Sequence, residues 1–275
     1  MSDLPELAGQ PDELFDWPGH AGQVHVRLFR GAPRKKANET LVVFFHPGGF
    51  VVDDTEASDP CLRVLADTCE VNILAPCYTL APERPFPAAV EDAHAVLTQA
   101  VRQRTKLGWK GSHLFVAGVE AGGNLAAVSA MVCRDRQGPE LAGQILIMPM
   151  LDASLHCASM RCAADEDATR KVARDVERSY RLYLPNPADR LHPYASPLHA
   201  SRLGNLPPAL IMHTQGDPLS DEGRAYADKL RHAGNEVAQI TLPPPDDILD
   251  NKERCSITSD DPSVTAMKQF LSAHQ

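Results

Sequence analysis

Positive charge is scarce: 27 lysines and arginines face 36 aspartates and glutamates, for a formal net charge of −9. An acidic surface repels phosphate backbones and anionic lipid, so binding of nucleic acid or a membrane through a basic patch is excluded as an expectation. No apolar run approaches the roughly 18 residues of a membrane span. The opening MSDLPELAGQPDELFDW is acidic and interrupted by prolines, and does not read as a secretory signal. No two of the seven cysteines form a CxxC pair, so neither a zinc ribbon nor a disulfide framework is expected. Reduced thiols in a cytoplasmic protein are the reading that remains. Repeats, low-complexity tracts and a second cluster of metal ligands are also missing, and the expected cofactor and metal content is none.

What is present is ample for a folded core: hydrophobic residues make up 43% of the chain and charged residues 23%. Residues 23–29 alternate polar and apolar like a half-buried strand. Short apolar runs at 40–45, 71–76, 113–118, 144–148 and 209–212 are bounded by Gly or Pro, as buried parallel strands are. Residues 237–242 read as a last strand. Helical spacing recurs at 88–102, 125–132, 222–233 and 263–271. The alternation predicts an α/β chain with a mostly parallel central sheet and helices on both faces. Residues 1–275 read as a single domain, with 151–197 a strand-free cap insertion and 1–22 a short N-terminal cap remnant.

Two turns carry chemistry. His46-Pro47-Gly48-Gly49-Phe50 follows the strand LVVFF directly. Adjacent glycines there let backbone N–H groups turn into a cavity, where they hold a developing oxyanion. Gly118-Val119-Glu120-Ala121-Gly122-Gly123 joins a strand to a helix. Glu120 stands at the apex of that sharp elbow, the position where hydrolases place a nucleophile.

Together with two further segments, these motifs resemble the hormone-sensitive-lipase branch of the α/β-hydrolase superfamily, the bacterial carboxylesterases. Tyr78-Thr79-Leu80-Ala81-Pro82-Glu83 matches the family's Y-R-L-A-P-E segment, and Asp217-Pro218-Leu219-Ser220-Asp221-Glu222 matches its D-P-L-x-D-E. The resemblance spans residues 23–273 and implies the α/β-hydrolase fold with a reduced helical cap. It implies an oxyanion hole at Gly48, Gly49 and Ala121 and a triad acid at Asp217. His46 and Phe50 of the loop, with His213 at the end of the strand before Asp217, are the expected substrate-binding residues, a substrate wall.

The family's elbow serine is Glu120 here, and the aspartate before it is Val119. Laid along this sequence, the family's histidine falls within one residue of Asp247, and no histidine occurs between His232 and His274. Serine hydrolysis needs a hydroxyl nucleophile, a base and a group that orients the base. Of these only Asp217 is kept. Glu120 is read three ways: a plug whose carboxylate sits on the oxyanion amides, a general acid or base, or a carboxylate nucleophile. The expectation is a pseudoenzyme without ester hydrolysis that binds a small molecule or plays a regulatory part. A non-hydrolytic lyase, isomerase or cyclase and an atypical esterase are its rivals. The expected partners are a small ligand (acyl, carbonyl-containing or cationic) and either a second copy of the chain or a regulatory protein.

Overall fold

The computed structural model describes residues 9–33, 37–163, 167–243 and 257–275. One eight-stranded sheet is built from β1 (Glu13–Pro18), β2 (Gln23–Phe29), β3 (Asn38–Phe45), β4 (Asn72–Cys77), β5 (Trp109–Val119), β6 (Gly143–Ile147), β7 (Ala209–Thr214) and β8 (Val237–Leu242). Its strand order is β1-β2-β4-β3-β5-β6-β7-β8. Strand β2 runs antiparallel to both of its neighbours, and all pairs from β4 to β8 are parallel. The helices are α1 (Thr55–Cys69), α2 (Ala88–Arg102), α3 (Ala121–Asp135), α4 (Ala158–Cys162), α5 (Asp167–Tyr183), α6 (Ser220–His232) and α7 (Pro262–Ala273).

Alternate residues of a strand face opposite sides of the sheet, and here both sides are covered. Leu41, Val43 and Phe45 of β3 pack in one apolar cluster with Leu97 of α2, Leu125 of α3 and Leu230 of α6. Val42 and Phe44 pack in the other with Leu62 and Leu65 of α1 and Met267 and Phe270 of α7. This double burial explains why β3 reads as an unbroken apolar run.

The structure departs from the sequence reading in three places. Part of the expected cap remnant is sheet: Glu13–Pro18 forms edge strand β1, paired along its whole length with β2. Its alternation is short, but burial of Phe15 and Trp17 fixes which face turns inward. Helix α1 escaped the pattern reading because Pro60 lies inside it. The helix keeps its apolar face, with Cys61, Leu62, Leu65, Ala66 and Cys69 buried, so packing outweighs the lost backbone bond. Cys61 is disulfide-bonded, which corrects the expectation of reduced thiols at that position; Cys69, Cys77, Cys133, Cys157 and Cys162 are free.

The 151–197 insertion holds α4, α5 and a 3₁₀ turn at Pro187–Leu191. Helix α5 brings Val176, Ser179, Tyr180 and Tyr183 down onto the body of the protein, where all four are buried. No helix among the described residues is long and apolar enough to cross a membrane.

Candidate active site

The loop after β3, the elbow after β5 and the acid loop after β7 all leave the same edge of the sheet. Strands β3 and β5 are neighbours, so the loop and the elbow touch. A Cβ on Gly122 would lie 2.0 Å from the Phe45 carbonyl oxygen and 2.7 Å from that of His46. A Cβ on Gly118 would lie 2.3 Å from the backbone of Gly122. Only glycine lets the first turn of α3 cross this close over the end of β3.

Glu120 has φ 52° and ψ −111°, a conformation that side-chain-bearing residues rarely adopt. Three backbone bonds hold it there. Its N–H donates to Ile147 O (3.0 Å), and its carbonyl accepts from Asn124 N (3.0 Å) and Met150 N (3.1 Å). Asn124, buried in the first turns of α3, donates through Nδ2 to Met150 O (2.7 Å) and Ala195 O (2.9 Å). The elbow is thereby tied to the loop after β6 and to the chain returning from the cap. The sequence reading missed Asn124; its place straight after Gly122-Gly123 was the available signal.

In the loop after β3, Gly48 and Gly49 have φ 111° and 61°. The Gly48 carbonyl accepts from Val51 N (3.1 Å) and Val52 N (3.0 Å), which closes the turn. A Cβ on Gly49 would meet Ser179 Oγ at 2.2 Å, so α5 rests directly on this loop.

The three residues expected at a substrate wall all turn into protein contacts. The buried His46 ring stacks on Tyr78 at 4.2 Å between centroids and bonds through Nδ1 to the Pro47 carbonyl at 2.6 Å. Tyr78 Oη donates to the His46 carbonyl at 2.9 Å. Burial holds the His46 pKa below its ordinary value, against a bond to the Pro47 carbonyl that favours the charged ring. Phe50, fully buried, stacks on Tyr183 of α5 with ring centroids 3.8 Å apart. His213 lies in β7, and its Nε2 is 2.9 Å from Thr241 Oγ1 on β8, away from the elbow. Sequence spacing could place these residues near the loops but could not say which way each ring turns.

Asp217 is half-buried at the start of the turn into α6. Its Oδ1 accepts from Leu219 N at 2.6 Å. Burial raises its pKa and that amide bond opposes the rise. Strand β6 separates β5 from β7, so the strand ends carrying Glu120 and Asp217 are about 10 Å apart, two strand spacings. Asp247, the third expected carboxylate, lies outside the described residues. Asp221 sits in the first turn of α6, as the match to the family motif implies, and its Oδ2 accepts from Ser159 N at 2.8 Å, anchoring α4.

A further carboxyl, Glu222, is fully buried at the base of the site. Its Oε2 accepts from Leu151 N (2.7 Å) and Asp152 N (2.9 Å), which clamps the loop after β6 to α6. Burial, reinforced by the nearby charge of Asp152, pushes its pKa up to about 8. Asp152 behaves oppositely. Burial alone would raise its pKa, but bonds from Ser154 (Oγ, 2.5 Å) and His199 (Nε2, 2.8 Å) leave it lowered. Among the described residues no group of three or more His, Cys, Asp or Glu side chains is placed to hold a metal ion.

A parallel sheet covered on both faces, a strained strand-to-helix elbow and a glycine loop beside it define an α/β-hydrolase. The chain belongs to the alpha/beta hydrolase fold family, which matches residues 42–244. It is 36% identical over 226 residues to the carboxylic ester hydrolase LipN of Mycobacterium tuberculosis, covering 80% of this chain and 59% of that protein. The chain thus spans less than two thirds of LipN's length. It is 34% identical to the ethyl acetate hydrolase of Pseudomonas putida, over 86% of this chain and 76% of that one. Among solved structures, a thermostable carboxylesterase cloned from a metagenomic library superposes with TM-score 0.84 at 30% identity, covering 97% of this chain and 91% of that one.

These relatives correct the expectation of a pseudoenzyme without ester hydrolysis. They are named ester hydrolases over most of this chain's length and point to an esterase, and an inactive protein is not shown. The expectation equated two missing side chains with the whole machinery, whereas most of an oxyanion hole's contribution comes from backbone amides that side-chain replacement leaves in place.

Proposed function

We propose that this protein hydrolyses small carboxylic esters, with Glu120 in place of the family's serine and histidine. The observation that carries the reading is the backbone of Glu120 itself. A non-glycine residue is held at φ 52° and ψ −111° beside a glycine loop, and strain of this kind persists where the surrounding structure enforces it for use.

In the proposed reaction the Glu120 carboxylate takes a proton from water as the oxygen adds to the ester carbonyl. The amides of Gly48, Gly49 and Ala121 receive the oxyanion. The tetrahedral intermediate collapses, and the protonated Glu120 returns its proton to the leaving alkoxide. One ester and one water give one acid and one alcohol. Without the imidazole and the hydroxyl the reaction is slower than in a serine esterase, because each triad member contributes orders of magnitude to rate.

The test is release of p-nitrophenol from p-nitrophenyl acetate by the protein and by Glu120→Gln, which keeps the size and loses the basicity. The expected result is hydrolysis above the buffer rate that falls at least tenfold in the variant. Hydrolysis equal to buffer, or equal in the two proteins, overturns the reading. A single turnover in ¹⁸O water separates base from nucleophile. Water attack leaves the Glu120 carboxylate unlabelled, and direct attack labels it when the acyl–Glu120 anhydride is cleaved at the Glu120 carbonyl.

A further inference from the structure

The cap contains a cleft rich in arginine. Its volume is about 580 Å³, and its walls are the loop after β6, α4, α5 and the turn Pro187–Leu191. Four arginines line it, Arg161, Arg170, Arg174 and Arg190, together with Ser154 and Glu177. None of the residues lining it belongs to the elbow, the glycine loop or the acid loop.

Arg170 is engaged by an interaction of its own; among the described residues the other three arginines are not. The Glu177 carboxylate is engaged by Arg181 Nη2 at 2.7 Å, one helical turn further along α5. The Ser154 hydroxyl donates to Asp152. No ion pair or side-chain hydrogen bond joins Arg161, Arg174 or Arg190 to another described residue, and the Nε of Arg190 is buried with no acceptor. Arg27, Arg63, Arg136 and Arg231, by contrast, each hold a carboxylate. Buried donors are normally satisfied. Like charges gathered in one cleft repel unless an anion joins them.

We propose that this cleft is a binding site for a small oxyanion, a phosphate or carboxylate group carried by a free metabolite. The guanidinium fork matches both groups through paired N–H···O bonds. The volume lies within the ~300–1,000 Å³ of ordinary small-molecule sites. Arg190, half-buried with its Nε enclosed, lines the cleft together with Arg161 of α4 and Arg174 of α5. The site is separate from the proposed hydrolysis and stands whether or not that reading holds.

The test is titration calorimetry of the protein with inorganic phosphate and, separately, with succinate, at fixed ionic strength set with chloride. Saturable binding of at least one is expected, and which one binds identifies the group. The double variant Arg161→Gln/Arg174→Gln is expected to weaken binding about tenfold or more. Arg102→Gln, which removes an exposed charge on α2 outside the cleft, is expected to leave it unchanged. Absence of saturable binding with both anions, or equal affinity in the parent and the double variant, overturns the proposal. Because the readout is heat of binding, failure of the esterase assay has no bearing on it.

Discussion

At the scale of single residues, the elbow sets function against stability. Glu120 occupies a backbone conformation that costs a side-chain-bearing residue of the order of 1–3 kcal/mol, and that glycine adopts freely. Glu120→Gly is therefore expected to abolish ester hydrolysis while making the protein more stable, by about 1 kcal/mol after the extra chain entropy of glycine. Urea denaturation midpoints of the two proteins check this. A midpoint that falls would mean the backbone is not strained at the apex. The resemblance located this residue correctly in the chain, because G-V-E-A-G-G keeps the glycines that the crossing over β3 demands. It could not foresee the orientation of His46, Phe50 or His213, since whether a ring faces substrate or a neighbour depends on the residues packed against it from α5 and β8.

At the scale of elements, the cap helix and the glycine loop are one unit. Ser179 of α5 rests where a Cβ of residue 49 would be, 2.2 Å from Oγ and 2.8 Å from Cβ. Gly49→Ala is expected to cost about 2–4 kcal/mol, from overpacking against α5 together with a left-handed backbone. Ser179→Gly, which removes both atoms, is expected to cost about 1 kcal/mol as a helical glycine. The double variant should be less destabilised than the sum of the two by at least about 1 kcal/mol, the part of the Gly49 cost that is contact and not backbone. Strict additivity in a double-mutant cycle would show that the helix does not bear on the loop. Such coupling was invisible in the sequence, where 130 positions separate the partners.

At the scale of the whole molecule, Glu222 makes stability depend on pH. Its carboxyl titrates near 8 in the fold against 4.5 in an unfolded chain. Between these values the folded protein retains a proton that the unfolded chain has released. The stabilisation is fully present below about pH 4.5 and is lost as pH rises through 8, a change of the order of 4–5 kcal/mol. Glu222→Gln keeps an oxygen for the amides of Leu151 and Asp152 and carries no charge. It is expected to match the parent at pH 5 and to melt higher than the parent at pH 9. Thermal melts across that range check the sign, and parallel curves for the two proteins would contradict it.

The sequence by itself determined the alternation of strands and helices, the parallel sheet, the glycine loop, the elbow with Glu120 at its apex, and Asp217 before α6. These follow from local rules, namely hydrophobic period, glycine at tight turns and helix entry, which operate within a few residues. Only the tertiary structure decided that residues 13–18 complete the sheet, that a proline-containing segment is a helix, that Glu222 is a buried neutral acid, and that four arginines of the cap line one cleft. Each of these depends on what packs against a segment from a distant part of the chain. Burial, which sets the protonation of a carboxyl and the pairing of a guanidinium, is a property of that packing and not of the local sequence.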